Sequence, residues 1–130
     1  MAFRHMRKKY QTELKRVAIE HLKDIQAGTD ATLLISLVDL FFDLTPKRIQ
    51  SMKDALKADD YNALTHAAHT LKTSCGTLGA NEMQNTCIEI EKLAAMRAGA
   101  EIYVCLARLE QLFIYTSEAL EPLRNLKQAA

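Results

Sequence analysis

The 130 residues suffice for one hydrophobic core and are too few for two, so a single domain is expected. With 48% hydrophobic and 25% charged residues, four Gly and two Pro, the chain is globular and helix-prone, which excludes a disordered protein. The formal charge of +1 is uneven: Arg4, Arg7, Lys8 and Lys9 precede residue 10, and the remainder carries 13 basic against 16 acidic residues.

A body of net negative sign offers no electrostatic reason to bind nucleic acid, and residues 1–9 read as a solvated or non-native basic tail ahead of a domain over 10–128. Cys75, Cys87 and Cys105 are odd in number, widely spaced and set in apolar patterns, so they read as small core residues in a reducing compartment. The most apolar stretch, 31–44, is interrupted by Asp39 and Asp43 and falls short of the ~20 residues that cross a bilayer. No signal peptide is evident, so a cytoplasmic protein with no membrane partner is expected, and a monomer.

Apolar residues recur at three- and four-residue intervals throughout, which predicts an all-helical chain. The first helix covers Tyr10 to Gln26, with Leu14, Val17, Ala18, Leu22 and Ile25 on one stripe, and Gly28, Thr29 and Asp30 end it and cap the next. The second runs from about Asp30 to Lys57 with Leu34, Leu37, Val38, Phe41, Ile49, Met52 and Leu56 inward, and Pro46 is expected to bend or split it. Asp59 or Asp60 caps a third helix that Gly79 closes after Leu78. A fourth follows Asn81, a cap candidate, with Met83, Cys87, Ile90 and Ala94 inward until Gly99. The fifth, about Ala100 to Leu126, carries Ile102, Leu106, Leu109, Phe113, Leu120 and Leu123 at helical spacing. Short connections force antiparallel neighbours, so the expected architecture is an up-and-down antiparallel four-helix bundle with an additional N-terminal helix.

The third helix holds the candidate chemistry. Leu64, Ala68, Leu71, Cys75 and Leu78 form a narrow apolar seam, while Thr65, His69, Lys72, Thr73 and Gly76 lie roughly 80 to 180° away, so His69 should reach solvent. His69 is as far before the turn near Ala80 as Glu91 is after it, which places the two at one height on neighbouring helices. A Glu91 carboxylate there can accept a hydrogen bond from Nδ1–H and leave Nε2 free as a nucleophile. Lys72, one turn beyond His69, can hold phosphoryl oxygens. His66 falls opposite Ala94, lacks a polar orienter and reads as a bystander. The His66 and His69 pair lacks the Glu-x-x-His pattern of di-iron bundles, so no metal is expected.

The run Ala68-His69-Thr70-Leu71-Lys72-Thr73-Ser74-Cys75-Gly76-Thr77-Leu78-Gly79-Ala80 resembles the signature A-H-x-L-K-G-S-x-x-x-L-G-A of histidine-containing phosphotransfer (HPt) domains. The likeness continues through Cys87 to Glu91 and back through Phe41, Pro46 and Leu56, covering roughly 30 to 97. It implies a helical bundle whose exposed histidine exchanges a phosphoryl group on Nε2 with the aspartate of a response-regulator receiver domain, alone or within a hybrid histidine kinase. By position, the resemblance makes His69 the phosphoacceptor, Lys72 the phosphoryl-stabilising cation and Glu91 the imidazole partner.

The chain departs from that pattern at Thr73, where the signature has Gly and where a β-branched side chain can crowd the imidazole or a docking receiver. Gly76 keeps the next turn open. The implied protein is a phosphocarrier in a phosphorelay, not an ATP-dependent kinase, with no cofactor of its own and Mg²⁺ supplied by its partner. The alternative is a helical module that binds a receiver or kinase without being phosphorylated. Counting across the turn near Asp59 brings Ile49 level with His69, which makes the outward residues Lys47, Gln50 and Lys53 candidates for the partner-binding rim beside Thr65, Thr73 and Gly76.

Overall fold

The computed structural model describes residues 7–16, 20 and 31–129. Residues 7–16 are helical and form α1; α2 spans Ala31–Lys57, α3 Tyr61–Leu78, α4 Asn81–Ala95 and α5 Gly99–Ala129. Among the described residues there is no strand. Packing runs α2 on α3, α3 on α4, α4 on α5 and α5 back on α2, so four helices close a square in which α3 stands diagonal to α5. This is the expected four-helix bundle, and α1 lies against its outside. The first helix begins early enough to include Arg7, Lys8 and Lys9. Its expected stripe beyond Leu14, the cap at Gly28 to Asp30 and the side chain of Leu34 lie outside the described residues.

Three helices end in the same way, with paired backbone bonds that return to the last turn through a left-handed residue. After α2, Asp60 N–H reaches Ala55 O at 2.9 Å and Asp59 N–H reaches Leu56 O at 3.1 Å, with Asp59 at φ 53°. After α3, Ala80 N–H reaches Cys75 O at 2.9 Å and Gly79, at φ 76°, reaches Gly76 O at 3.2 Å. After α4, Ala98 N–H reaches Leu93 O at 3.0 Å and Arg97, at φ 53°, reaches Ala94 O at 3.1 Å. Glycine supplies the left-handed residue only at Gly79. Arg97 bears the strain while its guanidinium rests over the Tyr61 ring, 5.2 Å from the centroid.

The expected boundaries shift accordingly. Asp60, not Asp59, caps α3, its carboxylate accepting from Ala63 N–H at 3.1 Å. Asn81 is the first residue of α4, and Ala80 before it makes no side-chain cap bond, so the expected Asn81 cap is absent. Gly99 does not end α4. It opens α5, where a Cβ would come within 3.3 Å of the Tyr61 hydroxyl, a tight contact that would push the ring by a few tenths of an ångström. α2 passes through Pro46 unbroken, although proline brings no N–H to the Phe42 carbonyl one turn back.

The inward seams of α3 and α4 are fully buried, and Val38, Phe41, Ile49 and Met52 of α2 meet Ile102, Leu106, Leu109 and Leu120 of α5 in the same core. Truncating a residue such as Leu71 or Ile90 to Ala removes about 2–5 kcal/mol. α1 is fastened to α5 by polar groups: Tyr10 and Thr116 share a buried hydrogen bond of 2.6 Å, Gln11 Nε2 donates to Tyr115 O at 3.1 Å, and Arg7 pairs with Glu118. The Arg7 pair and a second bond from Gln11 Nε2 to Glu118 Oε2, at 3.0 Å, hold the Glu118 carboxyl below its usual range.

Burial pushes the Tyr10 phenol up to about 12. Between pH 10 and 12 the unfolded chain therefore loses this proton before the folded chain does, and the folded state gives up about 2–3 kcal/mol as pH rises through that window. Tyr10→Phe is expected to flatten the alkaline decline in melting temperature relative to the parent protein, which a pH series of thermal melts measures.

Candidate functional site

The buried seam of Leu64, Ala68, Leu71, Cys75 and Leu78 fixes the rotation of α3, and this turns His69 outward with 63% of its side chain exposed. On α4 the buried residues Met83, Cys87, Ile90 and Ala94 leave Glu91 at the edge of the interface, 22% exposed. Across that interface Cys75 and Cys87 share a thiol hydrogen bond, which with burial drives the Cys75 thiol far above its ordinary range. Cys75 is a neutral packing group, with no thiolate to act as a nucleophile.

Two side chains converge on one oxygen of a third. Glu91 Oε1 lies 2.9 Å from Lys72 Nζ and 3.8 Å from His69 Nδ1. The second distance is close in charge terms but too long for a hydrogen bond, so the expected Nδ1–H bond to Glu91 is not made. The first is an ion pair without hydrogen-bond directionality, and Glu91 Oε1 is left buried with no hydrogen-bond donor. A carboxylate oxygen in that state is primed to take a proton donor, and Nδ1 is the nearest ring nitrogen. With Nδ1 as the ring nitrogen on the Glu91 side, Nε2 is the nitrogen left to act as nucleophile. His66 is exposed and has no comparable partner.

The other candidate residues fall on three different sides. Thr65 is half-buried and donates its hydroxyl to Tyr61 O at 2.8 Å. Thr73 is exposed and donates to His69 O at 3.2 Å, so its hydroxyl is already committed to the helix backbone. Gly76 faces α4, where a Cβ would stand 2.5 Å from Gln84 Nε2. The open space expected above it is thus filled by a flexible side chain. On α2, Lys47 and Gln50 are exposed, Gln50 donates to Asp54 at 3.0 Å, and Lys53 pairs with Glu110 of α5. Lys53 therefore belongs to the α2–α5 seam.

A cleft of about 230 Å³ opens between α2 and α3, lined mainly by Leu37, Leu40, Phe41, Leu44, Arg48 and Thr73. Arg48, which the sequence reading passed over, reaches across it and donates to Ser74 Oγ at 3.1 Å. An arginine one residue before a core isoleucine was its only signal. Among the described residues no group of three or more His, Cys, Asp or Glu side chains is disposed to hold a metal, and no helix is long and apolar enough to cross a membrane.

The comparisons with known proteins bear on the same helices. A family model described as the Hpt domain matches residues 36–129. Histidine-containing phosphotransfer protein 5 of Arabidopsis thaliana is 24% identical over 122 residues, spanning 92% of this chain and 78% of that protein. No solved structure matches. The match takes in α3 with its exposed His69, the adjacent Lys72 and Glu91 of α4, and most of α2 and α5, so the chain belongs to the Hpt domain family.

Proposed function

We propose that the protein is a phosphorelay intermediate that takes up a phosphoryl group on His69 Nε2 and exchanges it with a receiver-domain aspartate of a response regulator or hybrid kinase. The observation that carries this reading is the convergence of Lys72 and His69 on Glu91 Oε1, beside an imidazole that is 63% exposed. A phosphotransfer role follows from family membership; the residues and the partner are our assignment.

In the proposed step the Nε2 lone pair forms the N–P bond while the bond from phosphorus to the receiver's aspartyl oxygen breaks, and the aspartate leaves as carboxylate. The ring proton stays on Nδ1. The ring gains positive charge, and the buried Glu91 oxygen, 3.8 Å away, balances it. Lys72 then has two anions to serve, Glu91 at 2.9 Å and the incoming phosphoryl group, and shifts toward the second as Glu91 accepts a hydrogen bond from Nδ1–H, the proton remaining on the ring. No ATP or resident cofactor enters this step; the receiver provides the aspartate and its Mg²⁺, and the bundle provides a positioned nucleophile and one cation.

The receiver docks over His69 and along the α2–α3 cleft, where Leu37, Leu40 and Leu44 supply apolar surface and Arg48 and Lys47 the charge. Incubation with a phosphorylated receiver domain and Mg²⁺ tests the function: labelled phosphate should pass to the parent chain and be absent from the His69→Gln chain. Binding of the receiver with no label transferred would instead support a module that is not phosphorylated. Charge reversal at Lys47 is expected to slow encounter at low salt and to matter less as salt rises, while reversal at Lys53, already paired with Glu110, should have the smaller effect on transfer.

Thr73→Gly tests the departure from the family signature. It should cost a few tenths of a kcal/mol in helix propensity. Single-turnover transfer is expected to become faster, because the substitution clears a side chain between His69 and the cleft and removes only a hydroxyl bonded to His69 O.

A further inference from the structure

The outward face of α5 is apolar and exposed between Ala100 and Ile114, and on its α4 side Val104, Arg108 and Gln111 border a cleft shared with Arg7, Lys9, Tyr10 and Glu13 of α1. On helical geometry Ala100, Tyr103, Val104, Ala107, Gln111 and Ile114 fall within an arc of roughly 100°, and only Gln111 among them is polar. Tyr103 is 70% exposed and Val104 58%. One margin of this stripe adjoins α2, where Glu110 pairs with Lys53, and the other adjoins α4, where Arg108 donates to Glu89 at 3.3 Å. The helix thus packs inward on both flanks and leaves between them a seam of the kind two helices use to associate.

We propose that this seam joins two copies of the chain, α5 packing antiparallel against α5 about a two-fold axis near Val104. The charge pattern selects a second copy as occupant. Glu101 and Arg108 stand on the same margin of the stripe, seven residues apart and opposite in sign. An antiparallel two-fold pairing brings like margins together, so Glu101 of each copy lies beside Arg108 of the other, giving two equivalent ion pairs. In the same register Tyr103 of one copy meets Val104 of the other, and Ala100 meets Ala107, whose small side chains let the helices approach closely. Arg108 can turn from Glu89 to the new carboxylate because its side chain is exposed. Since α5 is diagonal to α3, both His69 side chains stay open in the pair, and the proposal stands apart from the phosphotransfer reading.

Sedimentation velocity of the full chain over a micromolar to millimolar series tests it. The expected result is a concentration-dependent shift from the 14.6-kDa monomer to twice that mass. Val104→Glu, at an exposed site, should abolish the shift with an unchanged helical spectrum. Glu101→Arg and Arg108→Glu should each weaken the dimer about tenfold, the equivalent of ~1.4 kcal/mol, and their combination should restore it. A monomer at every concentration, as expected if the stripe is bare or covered by a different protein, overturns the proposal. So does a dimer that survives Val104→Glu, or a charge swap that fails to recover association.

Discussion

His69→Gln is expected to abolish phosphoryl uptake altogether while leaving the far-ultraviolet spectrum and melting temperature nearly unchanged. The substitution removes the only nucleophile that the proposed step uses, and no neighbouring side chain replaces it: His66 lies one turn back and about 60° around the helix, without the carboxylate and lysine that flank His69, and Glu91 is a carboxylate paired with Lys72. The packing loss is small because most of the imidazole is in solvent, and surface changes usually stay within about ±0.5 kcal/mol. His66→Gln should retain full uptake. Quantifying acid-labile, base-stable phosphate in the two variants beside the parent protein checks the pair, and equal loss in both would contradict the assignment.

Lys72→Ala should give the second largest effect, slowing acceptance on the order of ten- to a hundredfold. A charge-assisted hydrogen bond is worth about 1.5–3 kcal/mol, and each ~1.4 kcal/mol in the barrier is a factor of ten. The same substitution strips the one cation beside a buried Glu91 oxygen, so a small fall in stability should accompany the lost rate. Glu91 separates the two roles. Glu91→Gln keeps an oxygen that Nδ1–H can reach and frees Lys72 for the phosphoryl group, whereas Glu91→Ala removes the ring's partner entirely. Single-turnover rates should therefore rank the parent and Glu91→Gln above Glu91→Ala, with Lys72→Ala slowest. Identical rates for the two Glu91 variants would mean that the ring needs no acceptor at that position.

The bundle itself was legible because its helices carry unbroken seams: the apolar spacing on α3 and α4 names the residues that are buried, and counting across the turn at Gly79 and Ala80 puts Glu91 beside His69. The turns were less legible. Glycine signals a left-handed residue, but in two of the three helix ends that position is Asp59 or Arg97, and Gly99 serves a close contact with Tyr61 instead. At the site, height along the helices could be counted, whereas the direction of long side chains could not. Lys72 turns to Glu91, Lys53 turns to Glu110 and Arg48 crosses to Ser74, and each choice depends on a partner more than fifteen residues away. The α2–α3 cleft was half legible: Leu37, Leu40, Phe41, Leu44 and Arg48 recur at helical spacing on α2, but which α3 residues close its other wall depends on how the two helices pack.

The chemical identity of the phosphorylated atom tests the central claim most directly. After transfer from a receiver domain, long-range proton–nitrogen correlation spectra of the histidine rings should show a single modified imidazole, that of His69, phosphorylated at Nε2 with the proton retained on Nδ1. Phosphate on His66, phosphate on His69 Nδ1, or unmodified rings in a folded protein that binds the receiver would contradict the account.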